Sequence, residues 1–117
     1  MSPPPRLIAT DLDGTLVRPD DTISARTADT LARAATAGTV VVLVTGRPAR
    51  WLPRIYRDLA AAYPAICGNG AAVYDPVTGT VRDARPFAAA VLEDICTRLR
   101  AAIPGIAFAV EIDGGRA

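Results

Sequence analysis

The sequence predicts an α/β protein built on a doubly wound parallel sheet, and three observations carry that expectation. Two short apolar runs, Arg6-Leu7-Ile8-Ala9-Thr10 and Val40 to Val44, each lead into a polar, glycine-containing turn. The segment between them has helical periodicity, and strand–helix–strand in one sheet is the parallel crossover unit. A third run, Pro64-Ala65-Ile66-Cys67, follows a second helical segment and closes on Gly68-Asn69-Gly70.

Each element has a local reason. Residues 1–5 hold three consecutive prolines and read as a frayed lead-in. The first strand ends in the tight turn Asp11-Leu12-Asp13-Gly14-Thr15, and Arg18-Pro19-Asp20-Asp21 is a polar loop. Ser24 suits the N-cap of the first helix, because its hydroxyl can accept from an orphan amide of the first turn. Ala28, Leu31, Ala32 and Ala35 recur at helical spacing and make one apolar stripe. Gly38 follows as the residue that ends the helix. The unbroken run Val40 to Val44 is the pattern of a parallel strand covered on both faces. Pro48 suits a first helical position, so 49–62 reads as a helix with an irregular start at Pro53.

Val73-Tyr74 and Thr80-Val81 flank Asp75-Pro76-Val77-Thr78-Gly79 and read as a hairpin. Residues 87–103 form an amphipathic helix, with Val91, Leu92, Ile95, Leu99 and Ala102 on one side, stopped by Pro104-Gly105. Ile106, Phe108, Val110 and Ile112 then alternate with Ala107, Ala109, Glu111 and Asp113, the period of a strand with one covered face. That change of pattern places a boundary near residue 85, giving units 1–85 and 86–117.

Composition narrows the function. The chain has 117 residues, half of them hydrophobic, which suits a packed domain rather than a disordered arm. A net charge of +1 gives no field to draw in nucleic acid or an anionic membrane. No apolar run approaches the ~20 residues that span a bilayer, and Met1 to Arg6 lack a signal-peptide pattern. Two cysteines are too few for a disulfide scaffold and suit a cytoplasmic protein. Cys67 and Cys96 read as small buried hydrophobes. With no histidine, Ser-His-Asp and Cys-His catalysis are excluded, and all 13 basic residues are arginine.

The chemistry gathers where the first three strands end, since ligands in open α/β sheets bind outside the carboxyl ends of the strands. Asp11 and Asp13 lie two apart and point to one side. Two carboxylates so placed repel unless a cation sits between them, and Mg²⁺ is the hard, oxygen-loving ion that suits a phosphate substrate. One carboxylate can then attack phosphorus while the other moves a proton. Gly14 lets the backbone amides turn toward a phosphate, and Thr15 adds a hydroxyl. Thr45 and Gly46 offer a hydroxyl and an amide, and Arg47 a charge-assisted donor. Plainer roles exist for several of these residues. Asn69-Gly70 is a common turn, Arg47 can be a solvated arginine, and Asp20 and Asp21 a solvated loop; Trp51 and Tyr56 can line the cleft, with packing the plainer role.

Taken together, D-L-D-G-T-L at 11–16 resembles the first motif of the haloacid dehalogenase superfamily, and V-T-G-R at 44–47 resembles its second. Their spacing, with G-N-G-A at 68–71, is similar to the Cof-type (subclass IIB) branch of sugar-phosphate phosphatases. The resemblance covers residues 6–85, and the helix and amphipathic strand beyond are similar to the start of that branch's α/β cap domain. It implies a Mg²⁺-dependent hydrolase of a small phosphorylated metabolite, acting through an aspartyl-phosphate. By resemblance, Asp11 is the nucleophile and a Mg²⁺ ligand. Asp13 is the general acid/base, with its backbone carbonyl also on Mg²⁺. Thr45 and Gly46 hold the transferring phosphoryl group, and Arg47 and Asn69 face the leaving group.

Two family motifs are missing. The third is a lysine, sometimes an arginine, and the fourth an acidic pair often set in G-D-x-x-N-D; both follow the cap in this branch. The chain has no lysine and no G-D-x-x-x-D, and Asp113-Gly114-Gly115 is not that motif. The expectation is the first part of such an enzyme, under half of it and catalytically incomplete alone. A second reading is a non-catalytic fragment that binds Mg²⁺ weakly or pairs with another polypeptide. A third, a receiver-like module phosphorylated on aspartate, also needs a lysine.

Overall fold

The computed structural model describes residues 3–112. Asp113-Gly114-Gly115 and Arg116 lie outside the described residues, as do Met1 and Ser2. Strands β1 (Leu7–Asp11) and β2 (Val40–Val44) pair in parallel, from Leu7 opposite Val40 to Asp11 opposite Val44. Strand β3 (Ala65–Cys67) adds in parallel to β2, with Val44 opposite Ile66. The hairpin β4 (Ala72–Asp75) and β5 (Thr80–Arg82) completes a sheet in the order β1-β2-β3-β4-β5. The carboxyl ends of β1, β2 and β3 therefore lie side by side.

The connection from β1 to β2 runs through α1 (Ala25–Thr36). Ser24 caps it by accepting from the Thr27 amide at 3.1 Å. At its other end the Thr39 amide donates to Ala34 and the Gly38 amide to Ala35, each at 3.0 Å. This paired closure needs a left-handed residue, and Gly38 supplies it with φ 94°. The chain is thereby turned directly into β2.

One face of the sheet is sealed. Val41, Leu43, Ala65, Cys67, Ala72 and Tyr74 share it by register and are buried. They join one cluster with Leu31 of α1 and with Leu52 and Ile55 of α2 (Leu52–Tyr56). A fully buried leucine or isoleucine contributes about 1.5–3 kcal/mol, so this seam is the main source of cohesion. The opposite face is open: Leu7 and Val40 are exposed, and Val42 and Val44 are half-buried. The cover on both faces that the β2 run predicts is thus found on one face among the described residues, because both α1 and α2 pack on the same side.

Two other expectations are corrected. In place of a helix over 49–62, a 3-10 turn (Ala49–Trp51) leads into the short α2. Pro53 has no amide to donate in the first turn, and the exit tightens through bonds from Asp58 to Ile55 and from Leu59 to Tyr56, each 3.3 Å. The Asp58 carboxylate turns away to accept from the Ile23 amide at 2.9 Å. The alternating segment 106–112 does not form a regular strand. Alternation specifies a strand only where a neighbour can take its hydrogen bonds, and no named strand lies beside it among the described residues. The helix α3 (Ala89–Ala102) forms as its pattern predicts but buries no residue fully. The lead-in is held rather than frayed at its end, since the Thr39 hydroxyl donates to the Pro5 carbonyl at 2.8 Å.

Candidate active site

The first turn is built by a buried residue between two exposed ones. Leu12 is fully buried in the core, which forces Asp11 and Asp13 outward together. The turn folds onto Leu12: its carbonyl accepts from the amides of Thr15, Leu16 and Val17 at 3.2, 3.0 and 2.8 Å. Gly14 adopts φ 77° there, a conformation that disfavours any side chain. Thr15 is exposed at the rim. Asp11 accepts from the Leu12 amide through Oδ1 at 2.8 Å. No arginine pairs with Asp11 among the described residues.

The second turn leaves β2 at Thr45, which is buried. Its Oγ1 accepts from the Arg47 amide at 3.1 Å, fixing the turn internally. The third turn docks onto the second: the Gly68 amide donates to the Arg47 carbonyl at 2.9 Å, and the Asn69 amide to the Thr45 carbonyl at 3.2 Å. Asn69 takes a left-handed conformation, φ 55°, which asparagine tolerates better than most residues. This brings its side chain against Gly46. A Cβ at Gly46 would lie 2.9 Å from Asn69 Oδ1, so a side chain there would push the exposed Asn69 amide aside.

Arg47 joins the first two turns. Its guanidinium holds the Asp13 carboxylate through Nε at 2.9 Å and Nη2 at 2.6 Å, and Nη2 also reaches Asp21 at 2.9 Å. These hydrogen bonds hold the Asp13 carboxyl below the usual carboxylate range and push the Arg47 pKa up. Asp13 is thus ionised in this arrangement. Arg47 is mostly buried by its partners, not a solvated arginine.

Sequence reasoning missed part of this site. Asp21 belongs to the Arg47 network and also lies 3.5 Å from Arg54, rather than in a solvated loop. Of the two roles the sequence offers Trp51, the structure shows the cleft: it is half-exposed and lines it with Asp13, Asp21, Arg47, Arg50 and Arg54. The available signal was the recurrence of Arg47, Arg50 and Arg54 at helical spacing on one side of the segment after β2. Tyr56 does pack, donating to the Tyr63 carbonyl at 2.5 Å and lying 5.9 Å from the Tyr74 ring. Cys67 is buried and burial pushes its thiol up, which keeps it protonated and inert; Cys96 is half-buried and free.

The donor set suits a hard cation in part. Mg²⁺ takes one or two carboxylates and fills its shell with water and substrate phosphate. Asp11 offers such a carboxylate, and the Asp13 backbone carbonyl is the second oxygen that the family resemblance implies. No group of three or more acidic, cysteine or histidine side chains gathers for a metal among the described residues.

A sequence profile of the haloacid dehalogenase-like hydrolases matches residues 8–114. The chain belongs to this family. Among curated haloacid dehalogenase-like relatives, it is 44% identical over 82 residues to pyridoxal phosphate phosphatase YbhA of Escherichia coli K12, covering 70% of this chain and 30% of that protein. It is 42% identical over 76 residues to 5-amino-6-(5-phospho-D-ribitylamino)uracil phosphatase YitU of Bacillus subtilis 168, covering 65% of this chain and 28% of that protein. A solved haloacid dehalogenase-like hydrolase from B. subtilis superposes with TM-score 0.70 at 31% identity, over 83% of this chain and 34% of that one. The chain therefore spans about a third or less of the length of these relatives.

Proposed function

We propose that the chain forms the nucleophile-bearing part of a hydrolase of phosphoric monoesters, acting on a small phosphorylated metabolite such as a sugar phosphate. The observation that supports it best is the meeting of the Asp11–Thr15 turn with the Thr45–Arg47 turn through the Arg47 fork on Asp13. The names of two relatives, a pyridoxal phosphate phosphatase and a phosphoribitylaminouracil phosphatase, favour the same class of reaction.

In this reading an Asp11 carboxylate oxygen attacks phosphorus, and the ester P–O bond to the leaving group breaks. Asp13, freed from Arg47 and carrying the proton taken from water in the preceding turnover, protonates the departing oxygen. It then takes a proton from water, which attacks the phosphorus of Asp11-phosphate, frees inorganic phosphate and restores Asp11. The ionised Asp13 seen here is the form that accepts that proton. The Gly14 turn, the Thr15 and Thr45 hydroxyls and the Gly46 amide orient the phosphoryl oxygens, and Arg47 and Asn69 face the leaving group. Mg²⁺, held by the Asp11 carboxylate and the Asp13 backbone carbonyl, would supply charge neutralisation between the Asp11 carboxylate and the phosphate.

Residues 1–85 make the front of the core in this reading and 86–117 begin a cap. Lack of any lysine among the 13 basic residues favours very low turnover by the 117-residue chain alone. Two free cysteines suit a reducing cytoplasm, and no described helix is long and apolar enough to cross a membrane.

The test is Asp11→Asn in the full-length gene product with Mg²⁺ and 4-nitrophenyl phosphate. Hydrolysis is expected to fall more than about 10⁴-fold; retained activity would overturn the nucleophile assignment. Asp13→Asn is expected to accept the phosphoryl group yet turn over slowly, and a wild-type rate there would remove its proton-transfer role.

A further inference from the structure

Asp21 belongs to neither aspartate-turn nor T-G-R motif, yet the loop that carries it is built to aim it. Its amide donates to the Arg18 carbonyl at 3.0 Å, and the Arg18 amide donates to the Thr22 carbonyl at 2.9 Å. Asp20 Oδ1 accepts from the Thr22 amide and hydroxyl at 3.1 and 2.6 Å, and the Ile23 amide is tied to Asp58. Between these ties Asp21 takes φ 63°, a left-handed conformation that few side chains adopt and that aspartate tolerates better than most. Its carboxylate is then divided between two arginines. Oδ1 accepts from Arg47 Nη2 at 2.9 Å, and Oδ2 lies 3.5 Å from Arg54 Nη2. Arg50, between them in sequence, is engaged by Glu111 instead. Ion pairs as open to water as that of Arg54 with Asp21 add little to stability, so the fold alone does not account for the arrangement.

We propose that Asp21 is a positioning residue for Arg47, holding the guanidinium in place at the moment Asp13 lets go of it. The proposal rests on the phosphatase reading above and adds a residue that its motifs do not contain. Both Asp13 oxygens are taken by Arg47, Oδ1 by Nη2 at 2.6 Å and Oδ2 by Nε at 2.9 Å. A carboxyl held in that fork cannot also reach the oxygen of a departing alcohol. Asp13 must therefore leave the fork to protonate it, and Arg47 then loses the partner of its Nε. The bond from Nη2 to Asp21 takes no part in the transfer, so it persists while Asp13 moves. Without it a long, flexible side chain would regain its rotamer freedom just as the leaving group departs. With it, Nη2 stays anchored and Nε is left as a charge-assisted donor for the substrate. Arg54, at the other oxygen, keeps the Asp21 carboxylate from turning away.

The experiment compares phenyl phosphate with 4-nitrophenyl phosphate in the full-length gene product with Mg²⁺. Phenolate needs a proton to depart, so Asp13 must leave the fork, whereas 4-nitrophenolate departs with little help. Asp21→Gly removes the carboxylate and eases the left-handed backbone. A loop role alone therefore predicts unchanged rates and an unchanged or raised melting temperature. The positioning role predicts, without a fall in melting temperature, that kcat/KM drops about 10-fold on phenyl phosphate and no more than about 3-fold on 4-nitrophenyl phosphate. Asp21→Asn, which keeps an acceptor oxygen for Nη2, is expected to recover part of the loss. In an Arg47→Ala background the Asp21→Gly loss is expected to vanish, because Asp21 acts through Arg47. Unchanged rates, equal losses on both esters, or a loss that persists without Arg47 would overturn the role. Should the unsubstituted protein hydrolyse neither ester, the phosphatase reading itself fails and the role with it.

Discussion

Arg47 grips Asp13 through two parallel hydrogen bonds, Nε to Oδ2 at 2.9 Å and Nη2 to Oδ1 at 2.6 Å, across 34 positions of sequence. The fork ties the turn after β1 to the turn after β2, and the same Nη2 reaches Asp21. Geometry of this kind belongs to a planar guanidinium and is not reproduced by an ammonium. Arg47→Lys is therefore expected to cost less than ~1 kcal/mol of stability, because Asp13 is half-exposed and water screens the pair. Its cost to kcat/KM is expected near 10²-fold, the scale of a misplaced reacting group. Thermal melts beside steady-state kinetics check this, and a large melting shift with full activity would make the fork structural only.

Gly46 and Asn69 lie close together, since a Cβ at Gly46 would lie 2.9 Å from Asn69 Oδ1. Gly46→Ala should displace the Asn69 amide while changing stability by no more than about 0.5 kcal/mol, because Asn69 is exposed and free to swing. If Asn69 faces the leaving group, Gly46→Ala and Asn69→Ala should each raise KM. The double variant should then be no worse than the poorer single one. Simple additivity in the cycle would separate the two residues functionally.

Asp75 tests the hairpin. The Val77 amide donates to it first, with further bonds from Thr78, and these with the Arg82 charge lower its carboxyl pKa. A carboxyl pKa depressed in the folded state adds stability that is complete above the unfolded value of about 3.9. That stability is lost as pH falls through the lower, folded value. The Val77 and Thr78 amide resonances should accordingly hold steady through mildly acidic pH and move only well below it. Movement at the ordinary carboxylate value would contradict the assignment.

Ser24→Ala removes the acceptor for the Thr27 amide at the start of α1. The expected loss is about 1 kcal/mol, read as a lower denaturant midpoint with an unchanged slope. Ser24→Asp should recover it.

Much of this was legible because the determining interactions are local. Ser24, Gly38 and the Asp75 turn each act within a few residues, so their types announce their conformations. The Asp11–Thr15 and Thr45–Arg47 turns follow apolar runs that can only be strands, and their motifs mark the family. What escaped was set by contacts distant in sequence. Asp21 is ordinary loop aspartate until Arg47 arrives from 26 positions away. Trp51 is divided between packing and the cleft until Ala49 and Leu52 take the buried positions on either side. The segment from Ile106 to Ile112 carries a strand's alternation, yet alternation supplies only a face and not a hydrogen-bonding neighbour.

The position of β1 at the margin of the sheet has a consequence for time rather than shape. The strand that ends in Asp11 is laced to β2 along one side, and its peptide groups on the other side meet no strand among the described residues. Fraying of such a margin is easier than opening of the β2–β3 seam. How often Asp11 stands ready is then a question of lifetimes, governed by whatever comes to lie along that free edge.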